Sequence, residues 1–563
     1  MSPAPPRAHA ELLRPAGVPQ HLPKRASPTC SDRVGSGVAG RSDLLGQGGL
    51  GCEGQVRSAR RGVAPRVRAG PRRRRGGPRG SASRSEEPTT PAARGAEQVR
   101  RSNAHPPKCP GPASLTCAPP GSYPDRMKHL FTLAWASIPL LLLAGCGDGG
   151  GGGGKGPEPG PIPVAPTQNL DRDILSTALA LDVTALTGEA TIVLAPAEKP
   201  GASFEVDGLV IQSVEDSSGQ LEYAVQEGRL DVGVKESAEN TTLDIKYTFA
   251  TQKNFDGYLA EGISFLWPRF CGNLFPCKSV PSEGVSFEMA LAGVPSGKQA
   301  VFPAEIPADA PTYMPAFALG VYTYVALGTT KAGTKVGVYH LPGEDAAAAE
   351  GTKDLAAVFD WFETTYGAYS FGGAVASVSA DWGPGAYGGM EHHPYWHVAR
   401  DAMNDPEVHA HEAAHGWFGN GVRISCWEDF VLSEGTASYL AARGLEAVAG
   451  QAAGEKIWSD YQTRLDDVIQ DEDTVLMLDT CNTIDLITHP LWSNVTYMKG
   501  AFFYRAVEAQ VGRDKLDAAL AKFYGTYKNR AAHMQDMIDT IQAETGADIS
   551  VHVDGWLKGL GKP

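Results

Sequence analysis

Two imidazoles and two carboxylates set the chemistry this chain could perform. His411-Glu412-Ala413-Ala414-His415 places histidines four residues apart. On a helix those positions share a face, so both rings can bind one metal ion. Glu412 then projects beside the metal, where its carboxylate can take a proton from a bound water. With 14 His in 563 residues, such a five-residue pattern arises by chance in about 0.02 of chains, so it needs support from elsewhere. The support is Glu434, which follows His415 after eighteen residues, within Leu432-Ser433-Glu434-Gly435-Thr436-Ala437-Ser438-Tyr439-Leu440. A carboxylate from a second helix can supply a third ligand. Three protein ligands leave the fourth position to water, as a catalytic zinc requires, whereas a structural site closes that position, usually with cysteine.

Further motifs flank this core. Gly388-Gly389-Met390-Glu391-His392 lies upstream and Tyr497-Met498-Lys499-Gly500 downstream. Phe275-Pro276-Cys277 followed by Pro281, and an ending that runs from Thr545-Gly546-Ala547-Asp548 to Trp556-Leu557, complete the set. Together they resemble the aminopeptidase N-like family of gluzincins, which includes leukotriene-hydrolase-type enzymes. HExxH, eighteen residues and Glu match that pattern in full. The upstream segment resembles GxMEN with His392 in place of Asn, the downstream one YxKG, and Phe275-Pro276-Cys277 part of FPCxDEP. The resemblance spans about residues 170–563.

That resemblance implies one zinc ion held by His411, His415 and Glu434. Zinc lowers the pKa of its bound water and polarises the scissile carbonyl. Glu412 becomes the general base and passes the proton to the leaving amine. Tyr497 donates to the developing oxyanion. Glu391 binds the free α-ammonium of the substrate, and Gly388 and Gly389 let backbone approach the peptide. Asp429 is a candidate to orient a zinc-bound histidine. His392, His393, His397 and His409 are read as pocket or surface residues, because three ligands suffice. Two departures stand out. Ser264-Phe265-Leu266-Trp267-Pro268 offers no acid or amide where the family carries one for the substrate amine. The chain also stops where the family's catalytic domain ends, without its C-terminal helical domain.

These residues need elements to hold them. From Asp171 to Phe249 the pattern is strand-like: Leu243, Ile245, Tyr247 and Phe249 alternate with polar neighbours, and Ala190–Leu194, Phe204–Ile211 and Leu230–Val234 are similar short runs between turns. Leu355, Val358, Phe359, Phe362 and Tyr366 then follow helical spacing. Helices are expected near Glu407–Asn420, Glu434–Val448, Lys499–Val511, Lys515–Tyr527 and Met534–Thr545. The expected class is α+β, with an N-terminal antiparallel β domain at 170–339. By the resemblance, the thermolysin-like, mainly α-helical catalytic domain follows at 340–563.

Residues 1–126 differ in kind. They carry 22 Lys+Arg against 8 Asp+Glu, leaving 28 against 56 for the remainder. Rich in Arg, Pro, Gly and Ser and without periodicity, they read as a disordered leader. A nucleic-acid arm is disfavoured by the segment that begins at Met127, and no nucleic-acid partner is expected. Met127, Lys128 and His129 precede an apolar run from Leu130 to Leu143, then Leu143-Ala144-Gly145-Cys146. The run is too short for a mature membrane span but suits a signal peptide at 127–146. Its ending resembles the bacterial lipobox, with Cys146 lipidated. The leader is then upstream sequence absent from the mature protein, and the Gly/Pro-rich stretch 147–169 a tether. Cys271, Cys277, Cys426 and Cys481 remain for the exported part. Disulfides Cys271–Cys277 and Cys426–Cys481 are the expectation, four free buried thiols the alternative.

The expectation is therefore a zinc aminopeptidase acting on peptides, lipid-anchored to a membrane of the bacterial cell envelope. Its alternatives are a zinc endopeptidase or epoxide hydrolase on the same scaffold, or a catalytically dead binding lipoprotein.

Overall fold

Alternating side chains at period two commit one face of a strand to a core, and the N-terminal region is built on that rule. In the computed structural model, described for residues 164–563 except 254–255, 267–268 and 384–386, Thr241–Thr248 buries Leu243, Ile245 and Tyr247. It pairs in antiparallel register with Thr187–Leu194, Thr187 facing Thr248 and Leu194 facing Thr241. The seven-stranded sheet runs Glu305–Ala310, Val285–Ala292, Ile174–Asp182, Thr187–Leu194, Thr241–Thr248, Val210–Asp216, Gly219–Gln220. The pairing of Ile174–Asp182 with Val285–Ala292 is parallel, so the sheet is mixed rather than wholly antiparallel. The expected run Phe204–Ile211 is two strands, Ala202–Glu205 and Val210–Asp216, that join different sheets.

The strand-rich region divides earlier than expected. Thr323–Thr329 and Lys335–His340 pair with Ala374–Ala380, Tyr395–Ala399 and Gly389–Met390 in a separate five-stranded sheet. That sheet packs with the helices in one apolar core, which includes Val336, Val338, Val375, Trp396 and Val398. The sheet that packs with the helices therefore begins at Thr323, ahead of residue 340, and adds a strand layer to the mainly helical region.

Helices α1 (Asp345–Gly351), α2 (Leu355–Tyr366), α3 (Pro406–Ala414), α4 (Phe430–Ala449), α5 (Gln451–Glu472), α6 (Asn494–Val511), α7 (Arg513–Tyr527) and α8 (Met534–Thr545) complete the unit. On α2 the anticipated face of Leu355, Val358, Phe359, Phe362 and Tyr366 is buried. Helix α3 starts sharply: Pro406 occupies its first turn and the Asp405 side chain accepts from Glu407 N at 3.0 Å. It ends at Ala414 instead of Asn420, because the chain turns at Gly416 and again at Gly419, whose φ is +106°. Helix α5 was not anticipated. Its charged composition masked an apolar stripe of Ile457, Trp458, Tyr461, Leu465 and Val468, which is buried.

Both expected disulfides, Cys271–Cys277 and Cys426–Cys481, are present. Among the described residues no helix is long and apolar enough to cross a membrane. The basic leader, the apolar run, Cys146 and residues 147–163 lie outside the described residues.

Candidate active site and metal centre

Helix α3 presents His411 and His415 as one-turn neighbours, and α4 crosses it with Glu434 facing them. The two Nε2 atoms are 3.1 Å apart. Glu434 Oε2 lies 3.2 Å from His411 Nε2 and 3.5 Å from His415 Nε2. Zinc bonds of 2.0–2.2 Å in tetrahedral geometry give ligand-to-ligand edges of about 3.3 Å. The observed triangle therefore has the size of one face of a zinc tetrahedron. The outer ring nitrogens are engaged elsewhere. His415 Nδ1 is 3.0 Å from the Phe418 carbonyl, which fixes that nitrogen as donor and leaves Nε2 as a lone pair. Ser438 Oγ stands 3.4 Å from His411 Nδ1. The donor set fits a zinc ion.

Electrostatics argue the same way. Glu391, Glu412 and Glu434 are all buried around these rings. Burial opposes charge on His415, but the carboxylates of Glu434, Glu391 and Glu412 outweigh it and push its pKa up to about 10. Burial likewise opposes charge on Glu434, yet His415 and His411 hold its carboxyl well below the usual range. Burial, joined by Glu391 and Glu434, raises the pKa of Glu412 well above normal. Three buried carboxylates facing two imidazoles form a site that lacks positive charge, and a divalent cation supplies it.

Glu412 is held by its backbone and free at its tip. Its carbonyl meets His393 Nε2 at 2.8 Å, and His393 Nδ1 meets the Tyr369 hydroxyl at 2.8 Å. Its Oε2 is buried with no hydrogen-bond partner among the described residues. Gly389 has a structural reason of its own: a Cβ there would come within 2.5 Å of Glu412 Cδ, so the glycine makes room for the carboxylate. Gly388 takes a φ of +103°, a conformation that only glycine enters freely.

Glu391 leaves the edge strand Gly389–Met390, which pairs with Tyr395–Ala399. Asn420 Nδ2 donates to its carbonyl at 2.6 Å, and the Tyr313 hydroxyl beside it donates to Asn420 Oδ1 at 3.5 Å. Tyr313 comes from the strand-rich N-terminal region, so that region does place a polar group beside Glu391, though from a different segment. Of the segment where the family carries such a group and this sequence offers none, Trp267 and Pro268 lie outside the described residues. The Tyr497 ring stacks over His411 at 5.7 Å between centroids, and burial with the nearby Glu434, Glu391 and Glu412 carboxylates keeps its hydroxyl protonated.

Other expectations change. Asp429 does not touch either zinc-site imidazole. Its Oδ2 meets His533 Nδ1 at 2.7 Å and its Oδ1 accepts from Met534 N at 2.8 Å. His392, His393, His397 and His409 are all buried, none of them at the surface. His409 is a structural post between Ser377 Oγ (2.8 Å) and the Met403 carbonyl (3.0 Å). Sequence reasoning missed Tyr313, Tyr369, Asn420 and Ser438. Asn420 was within reach, five residues beyond His415. Tyr313 had no local signal.

Residues 392–556 match the peptidase family M1 domain. Those residues therefore carry a peptidase family M1 domain, as the aminopeptidase N-like gluzincins do. The chain is 26% identical over 319 residues to aminopeptidase M1-B of Oryza sativa subsp. japonica, covering 51% of this chain and 36% of that protein. It is 24% identical over 325 residues to glutamyl aminopeptidase of Rattus norvegicus, covering 51% and 33%. It thus spans about a third of the length of these curated relatives. Its fold is similar to that of an M1 zinc metallopeptidase from Deinococcus radiodurans, with a TM-score of 0.58, 18% identity, and 69% of this chain and 95% of that one covered. It is also similar to native yeast LTA4 hydrolase, with a TM-score of 0.58, 22% identity, and 70% and 69% covered.

Proposed function

We propose that this chain is a zinc-dependent aminopeptidase that removes N-terminal residues from peptides. The observation that carries the reading is the triangle of His411, His415 and Glu434 with the unpartnered Glu412 carboxylate beside it. A zinc ion held there would supply an acidified water and a Lewis acid for the scissile carbonyl.

The chain's own residues do the rest. Glu412 takes the proton of the attacking water at Oε2 and delivers it to the departing amine. Burial raises its pKa, which suits it to hold the proton between acceptance and delivery. The Tyr497 hydroxyl, still protonated, donates to the oxygen on which charge develops. Glu391 sits buried with its backbone carbonyl held by Asn420, so an incoming α-ammonium gains a counter-ion in a water-poor site. That pairing places the second peptide bond out of reach and favours removal of a single residue. The names of the relatives, aminopeptidase M1-B and glutamyl aminopeptidase, agree with this reading.

The reading extends to location. The basic start at Lys128, the apolar run and the lipobox-like ending at Cys146 support a lipid anchor facing outside the cytoplasm. Cys146→Ser should abolish incorporation of a labelled fatty acid; labelling that persists rejects the anchor.

Activity is tested with paired peptides that differ only in N-terminal acetylation, with and without a chelator. The proposal expects cleavage of the free peptide alone, lost on chelation. Equal cleavage of both would make the chain an endopeptidase. Glu412→Gln should retain zinc and lose turnover; if its activity survives, another group is the general base.

A further inference from the structure

Away from the catalytic triangle, four groups with metal-binding chemistry converge: Cys426, Cys481, His533 and Asp429. One ligand atom each from Cys426, Cys481 and His533 lies within 4.8 Å of the others. Asp429 Oδ2 stands 3.3 Å from Cys426 Sγ and 2.7 Å from His533 Nδ1. The two cysteines are joined as a disulfide. We propose that this cluster is a redox-gated metal site, which holds a disulfide when oxidised and one thiophilic divalent cation of the zinc class when reduced.

Opening the sulfur–sulfur bond frees two thiolate ligands beside an imidazole and a carboxylate. Zinc–sulfur and zinc–nitrogen bonds of 2.3 and 2.0–2.1 Å require ligand edges of about 3.3–3.8 Å. The sulfurs need only separate to that distance. The rest of the frame is already fixed by other bonds. The Cys481 loop stays tied by Glu428, which accepts from Asn482 N, Thr483 N and Thr483 Oγ1, each at 2.8 Å. His533 is held at the start of α8, its N donating to Asp536 Oδ2 at 2.9 Å. Asp429 is anchored through Met534 N. Cys426 is buried, while Cys481 and His533 face solvent and give an ion access. Two thiolates, an imidazole and a carboxylate close a tetrahedron, the pattern of a structural rather than a catalytic site.

The chemistry balances with a dithiol as reductant. Two electrons break the Cys426–Cys481 bond, the dithiol closes to its own disulfide, and its two protons pass to the cysteine sulfurs. Both protons leave when the cation binds. Either state keeps the loop between α5 and α6 fastened. That loop ends at Trp492, which stacks on Phe430 at 5.2 Å, and Phe430 in turn meets Tyr497 edge-on at 6.3 Å.

Cobalt(II) is the probe, because the catalytic triangle contains no sulfur and any thiolate-to-cobalt absorption must arise elsewhere. Full-length protein stripped of metal is titrated in its oxidised form and again after dithiol reduction and anaerobic removal of the reductant. The oxidised protein should bind one equivalent without thiolate absorption. The reduced protein should bind a second, with a thiolate band that is absent from the Cys426→Ser/Cys481→Ser variant. His533→Ala, which keeps both cysteines should the double variant fail to fold, should weaken the second equivalent at least tenfold. A reduced protein that still binds one equivalent overturns the proposal. So does a thiolate band that persists in the double serine variant, or a second equivalent unaffected by His533→Ala.

Discussion

Gly435 and Gly500 meet backbone to backbone where α4 crosses α6. A Cβ on Gly500 would fall 2.5 Å from the Gly435 Cα, and one on Gly435 would fall 2.8 Å from the Gly500 Cα. This contact brings Glu434 on one helix and Tyr497 on the other to the same side of the crossing. The glycine of Tyr497-Met498-Lys499-Gly500 thus has a physical reason, since a larger residue would wedge the helices apart.

Gly500→Ala tests that reason. Overpacking of this kind costs about 1–3 kcal/mol, and a shift near 1 Å at the site costs about 100-fold in rate. The expected result is a kcat about 100-fold lower with zinc content unchanged, measured by steady-state kinetics and metal analysis. An unchanged kcat would separate Tyr497 from catalysis.

Gly389→Ala addresses the same issue from the other side. The added methyl overlaps the Glu412 carboxylate. The expected outcome is a fall in kcat of about 100-fold with little change in KM, since the group proposed to bind the substrate amine is Glu391 and not this residue. Kinetics at saturating peptide read it directly.

Tyr313→Phe removes the hydroxyl that donates to Oδ1 of Asn420, the residue whose Nδ2 holds the Glu391 carbonyl. A hydrogen bond of this kind is worth about 1 kcal/mol, so KM for peptides with a free amine should rise about fivefold. Zinc content and the unfolding midpoint should stay as they were. A loss in kcat at constant KM would assign Tyr313 a different role.

Arg443 tests the core instead of the site. It is buried among Glu446, Glu508 and Asp517, at 3.5, 3.7 and 3.2 Å, with its guanidinium 5.5 Å from the Trp361 ring centre. Arg443→Met leaves those carboxylates facing one another, and breaking a buried pair from one side costs about 3–5 kcal/mol. Urea denaturation should show a drop of that order.

Much of the site was legible because its geometry is local. His411 and His415 need only a helical turn, and Glu434 needs only a second helix, so the spacing offered the three ligands and the family resemblance assigned them. The role of Gly389 was not legible, because it depends on Glu412, a residue brought to it by tertiary packing. Asp429 was misread for the same reason: its partners His533 and Met534 arrive from over a hundred residues away. The strands Thr323–Thr329 and Lys335–His340 look like any others in the strand-rich region. Only their pairing with Ala374–Ala380 assigns them to the catalytic unit, and pairing is a long-range event that side-chain alternation does not encode. Helix α5 was the avoidable miss, since its apolar stripe was present all along.

The account depends above all on one zinc ion bound by the His411, His415 and Glu434 side chains. Zinc stoichiometry under non-reducing conditions, measured on wild type and on Glu434→Ala, tests it most directly. The wild type should hold one zinc per chain and lose activity in step with its removal. Glu434→Ala should bind it far more weakly. An active wild type without zinc, or a Glu434→Ala variant that binds as tightly as wild type, would contradict the account.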